Sequence, residues 1–439
     1  MNFQESVRYL LSLGRELAAP TQASAAKFNL ENISILANSL GHPEKKYPSV
    51  HIAGTNGKGS TAAFLEPILR HAGYRTGLYT SPHLERINER IRINGEEIPD
   101  DAFAAVFSQI YSKIEELLAT GTLRAHPTFF ECVTAIAFEY FAQVAVEFAV
   151  FETGLGGRLD STNVVTPQVS IITRIDFDHE NFLGHSLPEI AAEKAGIIKP
   201  GVPVVLAGQR EEVLRVLLTR AHELDAPVIE TSGTFTIDAQ QMIEGRVRAF
   251  VREVSTGKEF KIAPQLAGRF QLQNALNAVA AARVLKSTGV RISGSAIENG
   301  IAAAIWPGRI ERVHAHPDIY LDGAHNPSAA RELAVFLREN FPNRKIIMVF
   351  GALRDKAVDE IAGILFPLAA EVIFTEPHTS RSISALQLAE IAGHHATRFT
   401  VIPDSAQALA AALAIAAPTD IICITGSLYL VGELRRRAM

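Results

Sequence analysis

The sequence predicts two successive α/β units: an N-terminal one over 1–303 built around a phosphate-binding loop, and a smaller C-terminal one of Rossmann-like shape over 313–439, joined by a hinge at 304–312. Three observations predict this. First, an apolar run, Val50 to Ala53, breaks into Gly54-Thr55-Asn56-Gly57-Lys58-Gly59-Ser60-Thr61 and resumes as a periodic apolar run from Ala62 to His71, closed by Gly73. That is strand, glycine turn, helix. Second, later apolar strands each deliver polar or acidic residues at their C-terminal ends, where open α/β sheets meet ligands. Third, strand and helix alternate afresh after Trp306-Pro307-Gly308-Arg309, although no GxGxxG fingerprint is present.

Composition bounds the function classes. Over 439 residues, 47% hydrophobic and 20% charged residues describe a globular chain with ample core, and a formal charge of -5 gives no reason to expect nucleic acid or an anionic membrane as partner. No run reaches the roughly 20 apolar residues of a membrane span. The start, MNFQESVRYLLSLGRE, lacks a basic segment followed by an apolar core, so no signal peptide is expected there. Cys132 and Cys423 each sit in an apolar run and read as core residues, with a reducing cytoplasm as the expected setting.

In chain order, residues 3–18 and 28–40 predict helices, the second stopping at Gly41-His42-Pro43. In the glycine turn, backbone N–H groups at the positive end of a helix would converge on a phosphate chain. Lys58 would supply a mobile positive charge along the β/γ phosphates, and Ser60 or Thr61 a hydroxyl for the accompanying magnesium ion. The turn departs from the Walker A pattern because Gly59 stands between the lysine and the hydroxyl residue. Strand 75–79 leads into Thr80-Ser81-Pro82-His83-Leu84, and 85–98 reads as an extended flap with a turn at Asn94-Gly95. Helices follow over 100–119 and from His126-Pro127-Thr128-Phe129-Phe130-Glu131 to about residue 143. Strand 146–151 delivers Glu152, and strand 168–173 delivers Asp176-Phe177-Asp178-His179. Magnesium takes oxygen ligands and tolerates a histidine when carboxylate and phosphate already hold it; alone, His179 reads equally as a satisfied histidine. Helix 187–195 carries Lys194 toward this acid-rich rim, where a salt bridge is the commoner fate of a lysine. A strand at 202–206, a helix at 210–226 and short antiparallel strands in the stretch to about 262, notably 247–253 and 260–262, precede a helix over 275–285, before which Asn274 suits either a purine or ribose pocket or a helix cap. A helix at 295–304 ends the unit.

The C-terminal unit reads as strand 316–321, the turn Asp322-Gly323-Ala324-His325-Asn326-Pro327, helix 328–340, strand 345–350 ending in Gly351-Ala352-Leu353-Arg354-Asp355-Lys356, and strands at 372–375, 399–401 and 420–425 with helices between. Its strand ends carry Asp322, His325, Thr375 and Gly426-Ser427, so chemistry is expected in the cleft between the units.

Taken together, GTNGKGST (54–61), TSPHL (80–84), ETGLGGRLDSTN (152–163), DFDH (176–179), EKAGIIKPG (193–201), PGRIE (307–311), DGAHNP (322–327) and TGSLYLVG (425–432) resemble, in order and over nearly the whole chain, the signatures of the folylpolyglutamate synthase/dihydrofolate synthase family of the Mur ligase superfamily. The resemblance implies a Mur-ligase-like α/β fold, with an N-terminal P-loop ATPase domain and a C-terminal Rossmann-like domain that binds glutamate. It implies an ATP-dependent carboxylate–amine ligase acting through an acyl phosphate, with ATP, L-glutamate, reduced folates and 7,8-dihydropteroate as partners, and a monomer. Two magnesium ions are implied, and a monovalent cation is left open. By this resemblance Gly54 to Thr61 hold ATP phosphates, with Asn274, Arg309 and Asp322 around the nucleotide. Ser60, Ser81, Glu152, His179 and Lys194, the last as a carbamate, hold metal. Lys58, Lys194 and His325 are catalytic, and His325 and Ser427 contact glutamate. Pro82, His83, Phe129 and Phe130 are expected to wall the pterin, whose flat ring suits aromatic stacking and edge hydrogen bonds. Another amide ligase of the Mur group remains the alternative.

Overall fold

The computed structural model describes residues 1–14 and 29–439. The predicted helix 3–18 is present as Phe3–Ser12, opened by Asn2 in a reciprocal cap with Glu5, and the rest of that prediction lies outside the described residues. The second predicted helix is Glu31–Ser39.

Seventeen strands form three sheets among the described residues. The first holds β1 (Ser49–Ala53), β2 (Thr76–Tyr79), β3 (Ile91–Ile93), β4 (Glu96–Glu97), β5 (Phe148–Glu152), β6 (Val169–Ile172), β7 (Val204–Leu206) and β8 (Val228–Glu230) in the order β4-β3-β2-β5-β1-β6-β7-β8. All its pairings are parallel except those of β3 with β2 and with β4. The stretch expected as a free flap is therefore a hairpin built into the sheet edge. Asn94 and Gly95 both take positive φ (51° and 85°), the geometry a two-residue hairpin turn demands.

The central parallel strands are buried along their whole length because both faces are covered. On one face the helices Lys58–His71, Gln271–Ser287 and Gly294–Ala303 share a core with Val50, Ile52 and Val150. On the other, Asp100–Ala119 and Phe129–Gln143 pack aromatic side chains against Ala149 and Phe151. Gly300 closes the first layer: a Cβ there would stand 2.5 Å from the Ile68 backbone, so the two helices touch with no side chain between them.

A second sheet of β9 (Phe235–Ile243), β10 (Arg246–Glu253) and β11 (Glu259–Ile262) is antiparallel. Within the stretch expected to form short antiparallel strands, β9 was not singled out because most of it is exposed and polar, so it lacks the alternation that marks β10. The third sheet holds β12 (Glu311–His314), β13 (Asp318–Leu321), β14 (Ile346–Phe350), β15 (Glu371–Glu376), β16 (Phe399–Asp404) and β17 (Ile421–Thr425), ordered β12-β13-β17-β14-β15-β16. Only β12 runs antiparallel. Both cysteines are buried and free, and no helix among the described residues is long and apolar enough to cross a membrane.

Candidate active site

The chain leaves β1 toward β2 on one side and leaves β5 toward β6 on the other. In an open α/β sheet the ligand crevice lies outside the C-terminal ends of such strands. There lies a cavity of about 610 Å³, lined by both units.

The helix after β1 begins at Lys58, four residues before the sequence reading placed it, so residues 58–61 form its first turn. Lys58, Gly59 and Ser60 have no acceptor four residues back within the helix, and their amides are the ones available to a phosphate. The amides of Thr55 and Asn56 are instead committed: both donate to the Arg174 carbonyl, at 3.0 and 3.2 Å, and bind the loop to the end of β6. The whole turn does not converge on one anion, as expected from sequence; its helical half is what faces it. Lys58 Nζ donates to the carbonyls of Gly54 (3.1 Å) and Thr55 (3.3 Å), so its ammonium lies across the mouth of the loop.

The glycines have steric reasons to be glycine. Gly57 sits at φ 91°, and a Cβ on it would stand 2.3 Å from Asn274 Oδ1; a Cβ on Gly59 would meet the Trp306 indole at 2.7 Å. Asn274 is thus in the first turn of Gln271–Ser287, not at its cap, and its amide lies against the phosphate loop while donating to Gln271 Oε1 at 3.0 Å. Gly57→Ala is expected to weaken ADP binding about tenfold, which is 1.4 kcal/mol, because the left-handed backbone and the Asn274 contact both resist a methyl group. Calorimetric titration checks it, and an unchanged ADP affinity would remove the loop from nucleotide binding.

Beside the loop, Glu152 ends β5, buried, with Oε2 accepting from the Ser81 amide at 3.2 Å. Burial raises its pKa above the usual carboxylate range, opposed by the charges of Lys58, Arg309 and Arg90. Lys194, 4% exposed, reaches 140 residues back along the chain to donate to the Gly54 carbonyl at 2.7 Å. Burial, with the Lys58 charge second, lowers its pKa to about 7. His179 lies on the same rim, its pKa lowered to about 3 chiefly by burial. Its Nδ1 is sealed from solvent without a hydrogen-bond partner. Hydroxyls from Ser60 and Ser81, a buried carboxylate, an imidazole and a lysine poised to lose its proton make a donor set that fits a hard divalent cation, provided the lysine carries oxygen.

From the C-terminal unit, Asp322 at the tip of β13 accepts from the amides of Ile310 and Ala324, both at 2.9 Å. Burial raises its pKa, and Arg309 is the main opposing charge. His325 Nδ1 donates to the Gly323 carbonyl at 2.7 Å, which leaves Nε2 toward the cleft.

Several expected residues stand elsewhere. Phe129 is 3% exposed in the aromatic core, with the Arg90 guanidinium 5.3 Å from its ring centre, so its ring cannot wall a ligand. Thr128, by capping that helix, turns Phe129 inward and leaves Phe130 half-buried over Gly154. His83 Nδ1 accepts from Arg90 Nε at 2.8 Å and does not line the cavity. Thr61 is fully buried beneath the loop. Ser427 is buried at the start of the helix Leu428–Ala438, where its hydroxyl caps the Tyr429 amide at 3.1 Å. Pro82 lines the cavity, as do Gly54 to Ser60, Ser81, Arg309 and Asp322. Sequence reasoning gave no role to Asn326 or Lys356, and none to Asp178 beyond its place in a motif. Asn326 and Asn56 exchange amide hydrogen bonds of 3.0 and 3.3 Å, joining the C-terminal unit to the phosphate loop. The DGAHNP motif flagged Asn326 only as a turn.

Two family models match: the Mur ligase middle domain over residues 101–282 and the Mur ligase glutamate ligase domain over 308–428. A Bacillus subtilis dihydrofolate synthase/folylpolyglutamate synthase is 39% identical over 414 residues, covering 94% of this chain and 95% of that protein. The Mycobacterium tuberculosis folylpolyglutamate synthase complexed with ADP superposes with a TM-score of 0.90 at 32% identity, covering 99% of this chain and 98% of that one. Escherichia coli FolC in complex with DHPP and ADP gives 0.87 at 30% identity, covering 100% and 97%. With a phosphate loop and buried carboxylate facing a second α/β unit across one cleft, the chain belongs to the folylpolyglutamate synthase/dihydrofolate synthase family of the Mur ligase superfamily.

Proposed function

We propose that the protein joins L-glutamate to reduced folates and to 7,8-dihydropteroate, driven by ATP and through an acyl phosphate. The observation that carries this is one cavity lined at once by Lys58, Glu152 and Lys194 from the first sheet's rim, by Arg309 from the hinge, and by Asp322 and His325 from the C-terminal unit. A carboxylate is a poor electrophile, so its oxygen first attacks the γ-phosphorus of ATP, breaking the bond to the β-phosphate, releasing ADP and leaving an acyl phosphate. The amides of Lys58 to Ser60 hold the phosphates, and the Lys58 ammonium, released from the two carbonyls it now spans, offsets the charge that develops on them. Ser60, Ser81, Glu152, His179 and, as its carbamate, Lys194 are the residues that would hold Mg²⁺, which when bound supplies further positive charge against the phosphates. His325 Nε2 then receives the incoming glutamate, whose amine attacks the acyl phosphate and expels phosphate through a tetrahedral intermediate. The facing C-terminal unit excludes water from that reactive mixed anhydride. We assign 1–303 to nucleotide and acceptor, 304–312 to the hinge and 313–439 to glutamate.

The test is a pair of incubations with ATP, Mg²⁺ and glutamate, one with dihydropteroate and one with tetrahydrofolate. Phosphate release and a glutamylated product are expected in both. No dihydrofolate from dihydropteroate would remove the synthase half alone, and silence with both acceptors would overturn the reading.

A further inference from the structure

Three side chains of the C-terminal unit converge on one carboxylate of the N-terminal rim. Asp178 Oδ1 accepts from Lys356 Nζ at 2.8 Å, its Oδ2 accepts from Asn326 Nδ2 at 3.2 Å, and His325 Nε2 stands 3.6 Å from the same Oδ2. The Asp178 pKa lies well below the usual carboxylate range: burial raises it, and Lys356, His179 and His325 together outweigh that. Lys356, on the loop after β14, is only 5% exposed, and its ammonium also lies 3.3 Å from His179 Nε2 and 3.4 Å from Asp355 Oδ2. Asp355 is held in turn by Arg381 at 2.8 Å. A buried ammonium beside an imidazole nitrogen donates to it, so Nε2 presents its lone pair to Lys356. With Nδ1 sealed, that lone pair is the one His179 has to offer.

A single lone pair serves an ammonium or a metal ion, not both, and two cations at that spacing repel in a low-dielectric site. We propose that Lys356 is a positioning residue inserted into the rim by the C-terminal unit, holding Asp178 and competing with the divalent cation for Nε2 of His179. Occupancy of His179 by the cation and seating of the 351–356 loop are then negatively coupled, each disfavouring the other by the same factor. The inference rests on His179 being a cation ligand, as assigned under the proposed function. It gives the C-terminal unit a means of regulating metal occupancy from 177 residues away in sequence.

The experiment titrates Mn²⁺ alone into the full chain and follows free Mn²⁺ by electron paramagnetic resonance, for the unmodified protein, Lys356→Met, Lys356→Arg and His179→Ala. Lys356→Met is expected to bind Mn²⁺ at least about fivefold more tightly, the lower range of coupling between linked sites. Lys356→Arg keeps the charge and is expected to stay close to the unmodified protein, and His179→Ala to bind more weakly. A purely structural role for Lys356 would leave the affinity unchanged or loosen it. Weaker binding in His179→Ala with no tightening in Lys356→Met overturns the competition while leaving the ligand assignment standing. Unchanged binding in His179→Ala overturns both. Circular dichroism checks that each variant folds, and Lys356→Gln, which also removes the charge, replaces the methionine variant if that one does not.

Discussion

Lys58→Ala lowers glutamate ligation by about 10²–10³-fold, the scale of removing one preorganised donor from a developing oxyanion, and leaves a folded protein. The structure separates the two effects. Among the described residues Lys58 makes its side-chain hydrogen bonds to the Gly54 and Thr55 carbonyls, within its own loop. It is the first residue of the helix Lys58–His71, where the helix dipole disfavours a positive charge, so losing the ammonium does not weaken the helix. Circular dichroism and steady-state rates measured side by side decide the matter, and near-normal turnover in a folded variant would remove Lys58 from catalysis. A second consequence is readable in the same variant. The Lys58 charge is part of what lowers the Lys194 pKa, so removing it moves Lys194 deprotonation to higher pH.

Lys194→Ala is expected to be nearly inactive, with a loss of about 10²–10³-fold, the scale of removing one preorganised electrostatic partner from the transition state, and a small carboxylate such as acetate should restore part of the rate. An ammonium buried beside a cation site opposes the cation, whereas a carbamate reverses the charge and offers two oxygens. Only the neutral amine adds carbon dioxide: the nitrogen lone pair forms the N–C bond, one C=O π pair moves onto its oxygen, and the nitrogen gives up a proton to solvent. Because burial brings the Lys194 pKa down to about 7, half of the amine is already neutral near that pH. The sign follows directly. Below pH 7 the folded protein keeps the ammonium and modification falls away; above it the neutral amine dominates and modification rises. Lys199, the nearby competitor, donates to the Asn163 carbonyl at 2.8 Å and does not line the cavity. Carbon-13 bicarbonate observed by NMR should label Lys194 in the unmodified protein and not in the variant. An electron-density map of the Mg²⁺-bound enzyme showing an unextended Lys194 side chain would overturn the assignment.

How far the sequence reaches is visible residue by residue. The buried strands, most helices, the glycine turn after β1 and Glu152 at the end of β5 were legible because each is local: apolar runs bounded by glycine and polar residues specify a buried strand whatever surrounds it. The hairpin turn at Asn94-Gly95 was legible for the same reason, since two left-handed residues in succession leave little else. Phe129 was not. Whether an aromatic residue at a helix start faces the core or the cleft turns on the rotation of that helix, and the Thr128 cap with Arg90 beneath settled it inward. Ser427 was misplaced similarly: a serine ahead of a helix is a cap by local rule, and here the hydroxyl stays with the Tyr429 amide.

By itself the sequence determined the family, the phosphate loop and the identity of the acids and lysine on its rim, because motif residues close in sequence travel together into one strand-end loop. Only the tertiary structure decided which groups share a proton, a cation or a hydrogen bond across the cleft. Lys194 owes its lowered pKa to burial against Gly54, 140 residues away, and Asp178 is held by Lys356 from a loop that follows a strand of another sheet. Desolvation and pairwise charge depend on distance in space, and no local pattern encodes the distance between residues that the fold alone brings together.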